Sequence, residues 1–273
     1  AYGDQARMLL ERIQPDVDQL TRHFIECFYE ELSQQESIRR VLDRLTTEQY
    51  HQLKVDQASH LAFLLDPELT EEVHATRARR IGHVHALAGV SASDLVRAIT
   101  VYMHEFNETF NRAHLNQRHQ NRLERVFTER LSRELSHQLD AAQAVADEFQ
   151  GALAELDRCR RNEHNWPTLN EHLIDTLTSL PGICGASILS PNADGHFVAN
   201  YSAGTDLFAV PGHDERVASL DLRRPESGHP VSSAYREAQI ARIDNYRGDP
   251  AGSVWSDLEI GRASCRERVY TKV

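Results

Sequence analysis

The stretch Arg79-Arg80-Ile81-Gly82-His83-Val84-His85-Ala86-Leu87-Ala88-Gly89-Val90 decides how the first half of this chain is read. On a helix, Ala78, Ile81, His85 and Ala88 are spaced three, four and three residues apart and fall on one stripe. Gly89 supplies a helix stop, and Val90-Ser91-Ala92-Ser93-Asp94 supplies N-cap residue types for the next helix. A histidine among small and apolar residues, one turn from a helix end, can present a neutral imidazole nitrogen to a metal. The same placement also suits a core histidine whose ring is satisfied by its neighbours. His83, two residues earlier, faces another side, so both rings cannot enter one pocket.

Outward from this stretch, the chain to about residue 160 is nearly all helix-forming. Its few glycines and prolines fall at joints: Pro15 suits a first helical position, and Pro67 interrupts between Leu65 and Leu69. The pattern predicts helices over 4–13, 15–34, 36–45, 47–65, 69–87, 93–113 and 116–160. Within the last, Leu135, Leu139, Ala142, Ala146, Phe149, Leu153 and Leu156 alternate at spacings of four and three. That is the 3.5-residue period of a coiled-coil seam, and it predicts a dimeric connector helix over 135–165.

After Asn165-Trp166-Pro167 the composition changes. Leu169, Leu173, Leu177 and Leu180 describe an amphipathic helix. Ala186–Ser190 and His196–Tyr201 follow as two strands, joined as a hairpin by the turn Pro191-Asn192-Ala193-Asp194-Gly195. Helix, hairpin and a loop-rich remainder make an α+β domain over 166–258. From Glu259 onward, Glu259-Ile260-Gly261-Arg262-Ala263-Ser264-Cys265-Arg266-Glu267-Arg268-Val269 resembles the translation of a common sequencing adapter. Residues 259–273 are therefore read as a scar and set aside from fold reasoning, which leaves the second domain truncated.

Bulk properties narrow the function. At 273 residues, two domains are the natural expectation. A net charge of −11 argues against non-specific binding to nucleic acid or an anionic membrane, since both need a basic face. No run approaches the roughly 18–20 apolar residues that cross a bilayer, and the start Ala1-Tyr2-Gly3-Asp4 has no signal-peptide character. The cysteines Cys27, Cys159, Cys184 and Cys265 have no metal-type spacing. Such sparse usage fits a reducing cytoplasm. No P-loop, GxSxG or HExxH is present. The histidines, among them His51, His60 and His74, invite a metal-cluster reading, but most are expected on polar helix faces.

Two further places bear on His85. In Phe24-Ile25-Glu26-Cys27-Phe28-Tyr29-Glu30-Glu31-Leu32, Tyr29 lies beside an aromatic apolar face, where its hydroxyl could donate a hydrogen bond inside a pocket. In Tyr50-His51-Gln52-Leu53-Lys54, Leu53 could lid that pocket, although plain core packing describes both residues equally well. The spacing of Phe28-Tyr29, Gln52-Leu53-Lys54 and Ile81–Val90 resembles the sensor domain of globin-coupled sensors, over about residues 5–155. That resemblance implies an all-α globin-like fold over 1–155 and a haem b cofactor. It further implies that His85 is the proximal iron ligand, Tyr29 the distal hydrogen-bond donor to dioxygen, and Leu53 a distal apolar neighbour. At Ala88 the chain departs from the family, which carries a larger residue there. The segment Leu180–Leu189, with Ser233–Ile240 and Ile243–Pro250, resembles a GAF domain.

The resemblance implies a cytoplasmic oxygen sensor with no catalytic residues and no turnover of its own. It would form a homodimer through the last globin helices and the connector, with haem and dioxygen as partners and neither nucleic acid nor membrane. Ligand state would pass through the GAF-like domain to a missing output module, a diguanylate cyclase or histidine kinase in the full-length protein. The alternatives are a haem-free globin-like relay and dimerisation module, or a haem enzyme. The latter needs a polar distal acid–base pair, where this chain offers Tyr29 and Leu53.

Overall fold

A computed structural model describes residues 1–110, 117–183, 185–204, 230–238, 241–243 and 269–271. The described helices α1 to α6 are Asp4–Ser33, Glu36–Leu42, Thr47–Leu64, Glu71–Leu87, Ala92–Phe110 and Gln117–Asn162. They are followed by α7 (Trp166–Ser179), β1 (Gly185–Pro191), β2 (Phe197–Gly204), α8 (Pro230–Glu237), β3 (Ala241–Ile243) and β4 (Val269–Thr271). The chain divides into two units, Ala1–Ala146 and Asp147–Val273, with the division falling inside α6.

In the first unit the helix boundaries follow local chemistry. Thr46 caps α3 with a full capping box: its hydroxyl accepts from Gln49 N, and the Gln49 side chain accepts from Thr46 N. Thr70 caps α4 through Val73 N. At the start of α5, Ser91 Oγ accepts from Asp94 N while Asp94 Oδ2 accepts from Ser91 N. Asp94 also accepts from Ser37 Oγ at 2.7 Å, which ties the start of α5 to α2.

One boundary differs from expectation. Instead of two helices meeting at Pro15, α1 runs unbroken for 30 residues. A proline inside a helix removes one backbone hydrogen bond and costs about 3 kcal/mol. Leu9, Leu10 and Ile13 before it and Phe24, Ile25, Phe28 and Tyr29 after it all bury in the same core cluster. Fully burying each such side chain contributes roughly 1.5–3 kcal/mol, so packing decides the outcome. The predicted seam on α6 lies off the face that this helix buries in its own unit. The buried stripe of this helix is Leu123, Phe127, Leu131, Glu134 and Gln138, a different face from Leu135, Leu139, Ala142 and Ala146. The seam residues are half-buried or exposed within this chain, and Leu153 is 66% exposed.

The core is aromatic. Phe24 stacks on Phe28, both meet Tyr102 edge-on, and Phe106 lies flat against Phe127 with ring centroids 3.5 Å apart. At one end of this core sits a buried cation. Arg130 is 1% exposed and donates through Nη1 to the carbonyls of Leu64 and Asp66 at 2.6 and 3.0 Å. It thereby satisfies carbonyls at the C-terminal end of α3, where the helix dipole also favours positive charge.

The second unit holds α7 packed on the β1–β2 hairpin. The strands are antiparallel, from Gly185↔Gly204 to Pro191↔Phe197, with a bulge between Ile188 and Leu189. Asn192 Oδ1 accepts from Asp194 N and His196 N to close the turn, and Gly195 takes the positive φ that this turn requires. β3 pairs antiparallel with β4, so Val269–Thr271 of the set-aside segment forms a strand. Of the later GAF-like segments, α8 and β3 are described, while 244–250 lies outside the described residues.

Replacing Arg130 with Met keeps its length but leaves the Leu64 and Asp66 carbonyls without their donor. The expected cost is about 1–3 kcal/mol, read as a lower midpoint in thermal or urea unfolding with native helicity below the transition.

Candidate functional site

The end of α4 is built so that His85 is held in place by its backbone. Gly89 has φ +75°, Gly89 N donates to Ala86 O, and Val90 N donates to His85 O at 3.0 Å. These two bonds form a Schellman motif, with Gly89 in the left-handed position that a side chain would strain. The Gly89-Val90 pair thus fixes the last turn, and His85 is the residue whose carbonyl closes it.

Three residues earlier, Gly82 sets the approach of α4 to α6. A Cβ at Gly82 would lie 2.4 Å from Gln138 O and 2.5 Å from Gln138 Cα. Only a glycine permits this backbone-to-backbone contact. One turn further on, His85 reaches Gln138 from the same side, with Nδ1 and Oε1 3.0 Å apart.

The proton on that bond can be assigned. Gln138 Nε2 donates to Glu134 Oε1 at 2.8 Å. An ionised carboxylate only accepts, so the amide nitrogen must face Glu134 and the amide oxygen must face His85. His85 Nδ1 is therefore the donor. In a neutral imidazole this leaves the lone pair on Nε2, the form in which a histidine ligates a metal.

Glu134 has 1% side-chain exposure and is the hub of the arrangement. His60 Nε2 lies 2.9 Å from its Oε1, and His74 Nε2 lies 3.0 Å from its Oε2. His74 Nδ1 in turn lies 2.6 Å from the Tyr2 hydroxyl. Burial pushes the Glu134 carboxyl towards its neutral form, but hydrogen bonds from His60 and His74 outweigh it and hold the group well below the usual carboxylate range. His60 and His74, expected on polar helix faces, are instead 8% and 0% exposed, because each supplies a donor to the buried carboxylate. Sequence reasoning missed this cluster. Its one available signal was a glutamate and a glutamine four residues apart on the inner stripe of α6, in line with Leu123, Phe127 and Leu131. Among the described residues no three His, Cys, Asp or Glu side chains are arranged to hold a metal ion.

Tyr29 and Leu53 lie elsewhere in the same unit. Tyr29 is 4% exposed, edge-on to Phe28 and Tyr50 at centroid distances of 5.2 and 5.7 Å. Leu53, one turn after Tyr50 on α3, is half-buried and packs against the same aromatic cluster. The fold thus brings Tyr29 and Leu53 to the α1–α3 cluster, and holds His85 on α4 against α6. Burial strongly raises the pKa of the neighbouring Tyr102 hydroxyl, which keeps a neutral phenol at this depth.

The family model described as Protoglobin matches residues 3–154. No curated protein matches the chain, and no solved structure does.

Because the folded pKa of Glu134 lies below its ordinary value of 4.5, its charge contributes stability above that pH and loses it as pH falls towards the folded value. Glu134→Gln is expected to lower stability near neutral pH by about 1–3 kcal/mol, the loss of charge-assisted hydrogen bonds. Urea unfolding as a function of pH should show the wild-type and variant curves converging in acid. A gap that stays constant to the acid limit would contradict an ionised Glu134.

Proposed function

Because the chain belongs to the protoglobin family, a family of haem-binding globins, we propose that it is an oxygen sensor. In this reading it binds haem b with His85 as the proximal iron ligand. Haem supplies an iron centre that binds a diatomic gas reversibly. Of the three expected site residues, His85 is the one whose surroundings fit such a group. The observation that carries the reading is the state of His85, whose Nδ1 proton is engaged by Gln138, so that Nε2 is the nitrogen with the lone pair. Second contacts of this kind, which fix tautomer and ring orientation, accompany metal-ligating histidines as a rule.

Each residue of this chain then has a stated task. His85 holds the cofactor through Nε2. Gly82 and the Gly89 cap keep its helix against α6. Tyr29, buried among the α1–α3 aromatics, would donate a hydrogen bond that favours a polar diatomic ligand, and Leu53 and the aromatic cluster would exclude water around it. The output follows from α6. Its outer seam from Leu135 to Leu156 pairs with the same helix of a second copy, and a homodimer so formed passes ligand state to the GAF-like second unit and to an output module such as a diguanylate cyclase or histidine kinase.

The test is the absorption spectrum of the purified chain after haem addition, reduced and under oxygen. A sharp Soret band that shifts with oxygen, and is lost or altered in His85→Ala, is the expected result. No Soret band in the wild-type protein overturns the reading in favour of a haem-free relay. In Tyr29→Phe, oxygen release measured by stopped flow should be faster by about five-fold, the weight of one hydrogen bond of about 1 kcal/mol. An unchanged release rate would remove Tyr29 from the site.

A further inference from the structure

We infer that Gln138 and Glu134 form a positioning relay that sets the donor strength of His85 and couples it to α6. This rests on the haem reading above. The path is continuous: His85 Nδ1–H to Gln138 Oε1 at 3.0 Å, Gln138 Nε2–H to Glu134 Oε1 at 2.8 Å, and Glu134 held by His60 and His74. All of its members except His85 are buried, at 0–8% exposure.

Two properties make this more than packing. First, the amide between the imidazole and the carboxylate is polarised by its charged neighbour. A carboxylate accepting from Nε2 draws positive charge onto the amide nitrogen and leaves Oε1 a stronger acceptor, as hydrogen bonds in a chain reinforce one another at low dielectric. The stronger the pull on the Nδ1 proton, the more electron density His85 places on Nε2. Second, the relay has no slack. The α4 and α6 backbones meet at Gly82 and Gln138, and the Gln138 side chain cannot turn aside without breaking its bond to Glu134. Glu134 in turn is pinned by histidines from α3 and α4, so three helices fix the orientation of one amide.

A residue acting through another is distinguished from a structural one by a spectroscopic signature. In the full chain loaded with haem, the iron–histidine stretching band of the reduced, ligand-free protein reads the basicity of His85. Gln138→Met removes the acceptor at similar side-chain length, and the band is expected to move to lower frequency, with the reduction potential rising. Glu134→Gln removes the charge but keeps hydrogen-bonding atoms, and a smaller shift in the same direction is expected. A Soret band with the same stretching frequency in wild type and Gln138→Met overturns this inference and leaves the haem reading intact. Absence of a Soret band from the wild type overturns both. If Gln138→Met does not fold, nitrogen-15 histidine NMR of the haem-free wild-type chain decides the matter. A proton on His85 Nδ1, with Nε2 unprotonated, supports the relay, and the opposite tautomer overturns it.

Discussion

A carboxylate enclosed in a helical bundle must be compensated where it stands. Stranding a buried charge by removing its partner costs about 3–5 kcal/mol, a large share of the stability of a domain this size. Glu134 meets this constraint with donors from three directions: His60 of α3, His74 of α4 and Gln138 of α6 itself. That requirement fixes more than one group. It places the first turns of α4 against α6 through His74, and it fixes which way the Gln138 amide is turned. The orientation of that amide then settles the tautomer of His85 at the other end of α4. Arg130 answers the opposite constraint a turn earlier, a buried cation compensated by the carbonyls that end α3. The inner face of α6 is thus polar at its centre and apolar at its start, and the polar part gives α3 and α4 their places.

Much of this architecture was legible in the residue order. The cap residues around Ser91 and the stop at Gly89 are local signals, decided by hydrogen bonds within four residues, and they mark those helix ends closely. The hairpin was equally plain, since Asn192 and Gly195 carry the turn with their own side chain and φ. The segment around His85 stood out by its small-residue stripe and its stop at Gly89, while the role expected of His85 came from the family resemblance. The features that escaped notice are those settled at long range. The continuity of α1 through Pro15 is decided by a core whose partners lie far along the chain. The burial of His60 and His74 is decided by Glu134, more than fifty residues away, which reads from sequence as one more charge on a charged helix.

The two stripes of α6 are neighbours. Leu135 and Leu139 each follow a member of the relay by one position, and so lie about 100° around the helix from Glu134 and Gln138. Glu134 and Gln138 face α3 and α4 inside the unit, while Leu135, Leu139 and Ala142 lie half-exposed beside them. A helical turn is a rigid object, closed by its own hydrogen bonds. Any displacement that His85 imposes on Gln138 therefore moves Leu139 with it, and a seam that packs knobs into holes responds to such a rotation as a change of register rather than a graded bend. In the proposed sensor no long wire is then needed between ligand and dimer contact. In that reading the same turn of α6 would carry both the contact to His85 and the dimer contact.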